Sequence, residues 1–316
     1  MTGSNLEVTG AAMTGRRVLV TGAYGLIGHE TVLALRAAGF EVVPTDILSE
    51  PPSDAAFDAS PLAVAGVDPI FQFLEQNRIE AIVHAAGVSG PMLAKNRPHS
   101  VLSTNVGGAI DLYEAARLTS VKRMILISSA GAYGETGEAA VDEHMPLGAT
   151  DPYGVSKICS ERIAQAYAHH GVETVILRPS WVYGPRRRTT CVIKTMISDA
   201  LSNQPTHLPY GAGFPRQFVH VADVAQAVAA SLTTSRGGQS AYNITDGGRH
   251  LLDDVATLVR ERLPSAKIEL ARGPDPDDVI CGRMDISAAK ADLDWQPKID
   301  LPTGIDQMIV ELSGRL

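Results

Sequence analysis

The sequence predicts an α/β protein: a doubly wound, parallel sheet with helices on both faces and a smaller lobe interleaved toward the C-terminus. Three observations predict it. Short β-branched and aliphatic runs alternate with longer helical stretches from residue 17 to residue 179. A glycine-rich turn follows the first of these runs and opens a helix. Beyond Pro179 the alternation breaks into short segments punctuated by proline and glycine. Near-continuous apolar strands separated by helices mark a sheet buried on both faces, because the crossover helices cover it.

The elements follow in order. RRVLVTG (16–22) reads as a buried strand, and residues 26–38 as a helix. EVVPTD (41–46) is the second strand, with helical signals returning over 68–77. EAIVHAAG (80–87) is a third strand, followed by a long helix over 101–118. KRMILISS (122–129) is a fourth, and a helix carrying Tyr153 runs to about His170. ETVILRPS (173–180) is a fifth. FVHVADVAQAVAASL and SAYNIT return the chain to the main sheet. The division that follows is a dinucleotide lobe over 16–178 plus about 218–245, and a substrate lobe over about 179–217 and 246–316.

With 45% hydrophobic residues in 316, the chain can bury a sizeable core. A formal net charge of -8 argues against a nucleic-acid or membrane-surface partner. No uninterrupted apolar run approaches the roughly 18 residues that span a bilayer. Residues 1–15 lack the charged start and apolar block of a signal peptide and read as a disordered extension. Cys159, Cys191 and Cys281 are widely spaced and odd in number, fitting neither a disulfide framework nor a metal site. A reduced, cytoplasmic enzyme is the simplest expectation.

VLVTGAYGLIGHE places Gly22, Gly25 and Gly28 directly after a strand and at the opening of a helix. Side chains there would hold the backbone away from a pyrophosphate, whereas the helix N-terminus offers it free N–H groups and a positive dipole end. At the first strand of an alternating chain, this is the dinucleotide-binding turn of a Rossmann-type fold. Asp46 ends the second strand 18 residues past Gly28 (46 − 28), the offset of a carboxylate that bonds the adenosine ribose. A 2′-phosphate would be repelled, so NAD is expected rather than NADP. Asp58 is either an adenine contact or a turn residue.

DPYGVSKICSER sets Tyr153 four residues before Lys157, on one helix face. A nearby cation favours the phenolate, which would make Tyr153 a proton acceptor from an alcohol. With LISSAGAYG and the G-x-x-G-x-x-G loop, the chain resembles the extended short-chain dehydrogenase/reductases, in particular the NAD-dependent epimerase/dehydratase group. STNVGGAIDLYEAAR, LRPSWVYGP, RQFVHVADVAQAV, YNITDGG and DISAAKADLDWQP extend the likeness from about residue 16 to the C-terminus.

The resemblance implies Tyr153 and Lys157 as the catalytic pair, Ser129 as the hydroxyl on the reacting oxygen, and Asn105 as an amide ordering the active-site helices. It also implies cofactor contacts from Tyr24, Leu26, Ile27, Ala85, Ala86, Gly87 and Pro179, and substrate contacts from Ser129, Ser180, Trp181, Arg188 and Arg216. Hydride passes to NAD while Tyr153 takes the alcohol proton, with Lys157 lowering the tyrosine pKa. The substrate is expected to be a small carbohydrate. Net epimerisation and net dehydrogenation of a sugar, sugar acid or polyol both fit. A non-catalytic dinucleotide sensor is the remote alternative. A homodimer packed through the tyrosine helix is the family's habit, with Ile158, Ile163 and Ala164 as a candidate face.

Two positions depart from nucleotide-sugar members. Trp181 stands where many have a diphosphate-binding asparagine, and Asp275 where some have an arginine. Ala130 and Gly131 replace the Asp–Glu pair of the dehydratase branch, so dehydration is not expected.

Overall fold

The computed structural model describes residues 15–90, 96–234, 240–276 and 278–314. Apart from Gly15, the expected N-terminal extension lies outside them. Seven parallel strands form the main sheet: β1 (Arg17–Thr21), β2 (Glu41–Asp46), β3 (Ser60–Pro61), β4 (Ala81–His84), β5 (Arg123–Ile127), β6 (Glu173–Pro179) and β11 (Ser240–Ile244). Their spatial order is β11-β6-β5-β4-β1-β2-β3. Order therefore reverses between β1 and β4, where the chain leaves β1 to one side and enters β4 from the other. Ligands of such sheets bind outside the strand ends at that switch point.

The sheet sorts its own side chains. Val18 and Val20 of β1 face one cluster, with Val32 and Leu35 of α1 (Leu26–Ala37) and Val224 and Val228 of the later helix Val221–Thr233. Leu19, between them, faces the opposite cluster with Ile70 and Leu74 of α2 (Val67–Gln76) and Leu112 of the helix Gly108–Arg117. Successive strand residues point to opposite faces, so an unbroken apolar strand feeds two helical layers.

The long helix expected over 101–118 is two helices, α3 (Pro98–Leu102) and α4 (Gly108–Arg117), joined by a π-turn over Ser103–Gly107. The next helix, α5 (Pro152–Ala168), carries the Tyr–Lys pair. Ala164, expected on a dimer face, is 1% exposed and packs in its own chain's core.

Beyond β6, β7 (Trp181–Tyr183) pairs in parallel with β10 (Phe218–His220) rather than with the main sheet. The FVH segment therefore does not return to the sheet as expected; the helix after it, α7 (Val221–Thr233), covers one sheet face, and β11 pairs with β6 at the edge. A third cluster joins Ile193 and Met196 of α6 (Val192–Leu201), Val255 and Val259 of α8 (Leu252–Arg262), and Ile305 and Met308 of the C-terminal helix Leu301–Ser313. The segment α9 (Ser287–Leu293), assigned from sequence to the second lobe, packs with Trp295 on the sheet cluster; the Trp295 indole donates to the Asp223 carbonyl at 3.0 Å.

Candidate active site

The sheet's switch point opens into a cavity of about 620 Å³, lined by residues of the strand ends and of the segments beyond β6. One part of its lining is Gly25, Leu26, Ile27 and Gly28 at the start of α1, with Ala85, Gly87 and Pro179. Gly25 caps α1 without a side chain and no acidic residue occupies the first turn. The free N–H groups and dipole end are thus open to an anion, which fits a pyrophosphate. A Cβ on Gly28 would lie 2.1 Å from the Gly22 carbonyl oxygen, so only glycine lets the helix start this close to the loop.

Asp46 sits at the end of β2, 8% exposed; its Oδ2 accepts from the Tyr24 N–H at 2.9 Å and its Oδ1 from Leu48 N–H at 3.2 Å. The carboxylate is fixed against the glycine loop, where it suits a ribose diol and repels a 2′-phosphate. Gly22, Tyr24, Asp46, Asp58 and Ala86 do not line the cavity. Tyr24 contributes its backbone to the loop and turns its ring inward, the hydroxyl accepting from Ala59 N–H at 2.7 Å. Asp58, beside Ala59, is exposed in the loop that follows β2.

The chemical centre is built by α5. Asp151 caps it, Oδ1 accepting from Tyr153 N–H at 2.9 Å and from Gly154 N–H at 3.0 Å, and Pro152 supplies the preset first φ. Gly154 lets the helix approach: a Cβ there would fall 2.4 Å from Ala149 Cβ and 2.7 Å from Gly131 O. Tyr153 and the Ser129 hydroxyl consequently face the same space beside Gly131, where an added Cβ would lie 3.3 Å from Ser129 Oγ and 3.6 Å from the Tyr153 ring. Ser129 Oγ also accepts from Gly131 N–H at 3.0 Å, which orients it as the cap of the short turn after β5. Its neighbour Ser128 is directed away, donating to buried Glu161 at 2.5 Å, and Glu161 pairs with Arg178 at 2.7 Å.

Burial holds the Tyr153 phenol above its ordinary value, opposed by the nearby Ser129 hydroxyl and the Arg187 charge. Lys157 was expected to supply that opposing charge. Its ammonium lies 5.7 Å from the Tyr153 ring centroid and donates to the Ile127 carbonyl at 2.9 Å, and burial pulls it down to about 8. The lysine is held at the β5 end of the cavity, and the Arg187 charge also favours the phenolate.

Asn105 does not line the cavity. From the π-turn its amide donates to Val88 O at 3.0 Å and Ser156 Oγ at 2.9 Å, while its Oδ1 accepts from Val88 N–H at 2.8 Å. It clamps the loop after β4 to α5, so it is a positioning residue. The local change of helical pitch aims it, a common use of π-turns at functional sites.

Ser180, Trp181, Arg188 and Arg216, expected from sequence as substrate contacts, also line the cavity. Ser180 lines the cavity, and its buried Oγ has no hydrogen-bond partner among the described residues. Arg188 is exposed and 3.7 Å from Asp54, which Arg186 meets at 2.9 Å. Arg216 stacks 4.1 Å over the Trp181 ring and pairs with Asp275 at 2.7 Å and Asp278 at 2.8 Å. Sequence reading did not single out Arg187 from its two neighbours or identify Asp278. Asp278 lies 62 residues from the arginine it meets, in a stretch with no periodic signal.

The chain is 29% identical over 315 residues to UDP-glucose 4-epimerase of Azospirillum brasilense, covering 92% of this chain and 89% of that protein. It superposes on the UDP-glucose 4-epimerase of Thermotoga maritima, solved with UDP-glucose, with a TM-score of 0.87 and 25% identity over 95% of this chain and 98% of that one. The Thermus thermophilus UDP-glucose 4-epimerase, solved with NAD, gives 0.86 at 28% identity, covering 95% and 100%. The NAD dependent epimerase/dehydratase family profile matches residues 18–245, and the chain belongs to that family.

Proposed function

We propose that this chain is a sugar epimerase that inverts a secondary alcohol, most naturally on a nucleotide-linked sugar as in its relatives. Membership of the family makes it an enzyme with NAD as cofactor. The observation that carries the reading is the convergence of Ser129, Tyr153 and Lys157 on one cavity with the glycine loop.

In this reading Tyr153 accepts the hydroxyl proton and Ser129 donates to the same oxygen as it becomes a carbonyl. Lys157, held by Ile127 O, would bond the nicotinamide ribose. NAD, when bound, would accept the hydride and give it back to the other face of the ketone. With that return, Tyr153 would give the proton back to the oxygen, and the two together complete the inversion. Asp46 holds the adenosine ribose, and Ser180 and Trp181 contact the sugar. The division into an NAD lobe and a substrate lobe belongs to the same proposal.

A second reading, net dehydrogenation of a free sugar or sugar acid, draws on the ion pairs that occupy Arg216. Proton NMR of the purified protein with NAD, run over UDP-sugars, free aldoses and sugar acids, separates the two. A new stereoisomer without accumulated NADH supports epimerisation. Stoichiometric NADH with a ketone or lactone supports dehydrogenation and overturns the first reading.

We further place the enzyme in the cytoplasm as a homodimer. Three free cysteines suit a reducing compartment. Ile110 and Leu118, 45% and 48% exposed on α4 and just past its end, offer an apolar face beside α5. Among the described residues no helix is long and apolar enough to cross a membrane.

A further inference from the structure

Two arginines lie against the Trp181 ring in this cavity, and their partners differ. Arg216 is 4% exposed and faces two carboxylates, Asp275 and Asp278, at 2.7 and 2.8 Å. One positive and two negative charges leave that cluster at a formal −1, and the guanidinium is sandwiched against Trp181. A second anion placed there would meet two like charges in a desolvated site, which is disfavoured. Arg216 is thus a strut for Trp181 rather than a seat for an anion.

Arg187 lines the cavity and pairs with no carboxylate among the described residues. Its Nε donates to Thr189 Oγ1 at 3.0 Å, its Nη1 donates to the Val182 carbonyl, and its guanidinium lies 5.3 Å from the Trp181 ring centroid. Two donors and a ring fix the fork before any ligand arrives, leaving Nη2 for one. Arg186 and Arg188, on either side, already share Asp54. A preoriented guanidinium suits a planar or branched oxyanion. Its charge also reaches the Tyr153 phenol, which places it toward the reacting end.

We propose that the anionic group of the substrate, a diphosphate or a sugar carboxylate, is bound by Arg187, and that Asp275 and Asp278 withdraw Arg216 from that role. The inference rests on reading this cavity as the sugar site, but its test is a binding equilibrium independent of turnover. Calorimetric titration of the NAD-loaded protein with UDP and, separately, with glucuronate distinguishes the two sources.

At least one of them is expected to bind, UDP pointing to the diphosphate and glucuronate to the carboxylate. Arg187→Gln should weaken that ligand at least tenfold with NAD affinity changed less than twofold, and Arg187→Lys should fall between. Asp275→Asn with Asp278→Asn should tighten UDP by freeing Arg216. Unchanged binding in Arg187→Gln, or a loss confined to NAD, would overturn the proposal. So would failure of both ligands to bind the wild-type protein. Should a variant not fold, weakening of wild-type binding with added salt, or its absence, decides the same question.

Discussion

At the scale of single residues, the site depends on a few atoms that cannot be exchanged. Tyr153→Phe removes the proton acceptor while leaving the ring's packing, so turnover should fall by about 10³-fold, within the range for a general base, with NAD binding retained. Steady-state kinetics beside an NAD titration checks both halves; retained turnover would remove Tyr153 from the chemistry. Gly28→Ala should do the reverse. Its Cβ would enter within 2.1 Å of the Gly22 oxygen, so cofactor affinity should be lost while α5 and its tyrosine remain in place. Much of this residue-level site was legible in the sequence, because glycine turns and a Tyr–Lys pair at helical spacing have local causes. Arg187 was legible only as one of three arginines. What distinguishes it is that Asp54 takes its neighbours, a contact across more than a hundred positions.

At the scale of elements, α5 acts as the ruler of the active site, and its start is set by Asp151. Asp151→Ala removes a side chain that accepts from two backbone N–H groups, and should cost about 1 kcal/mol of stability, measurable by chemical denaturation. Asn105→Ala should lower kcat more than it raises KM, because the loop after β4 would lose its clamp to α5 while the substrate wall stays intact. An equal loss with the conservative Asn105→Asp would show that the amide's donor, and not the side chain's volume, is what matters there. The strands and crossover helices of the main sheet could be read from alternation, since each strand must supply both faces. The break between α3 and α4 could not: nothing in STNVG differs in polarity from an ordinary helical turn. The pairing of β10 with β7 escaped for a related reason, as three apolar residues fit any buried edge.

At the scale of the whole molecule, two apolar layers on the sheet and one beyond it hold three imidazoles in the neutral form. Burial pulls His29 and His220 down to about 4; burial and the Lys157 charge pull His84 to about 3. An unfolded chain takes up these protons first, near pH 6.5, so each histidine contributes stability at neutral pH that is lost as pH falls from about 6.5 toward its folded value. The slope is roughly 1.4 kcal/mol per pH unit per histidine while the folded ring stays neutral. Glu30, Glu143, Asp223 and Asp278, raised by burial, oppose this loss. The histidine ring protons report the effect directly by NMR. All three should keep neutral shifts at pH 5, and titration near 6.5 would contradict their burial. The most direct test of reversible oxidation in this cavity is to run the inversion of a UDP-sugar in D₂O and read the reacting carbon by proton NMR. Hydride transfer to NAD and back does not exchange that hydrogen with solvent, so the epimer should carry no deuterium there. Deuterium at the inverted carbon would mean that a carbon-bound proton is abstracted instead, and would contradict the Tyr153–Ser129 chemistry.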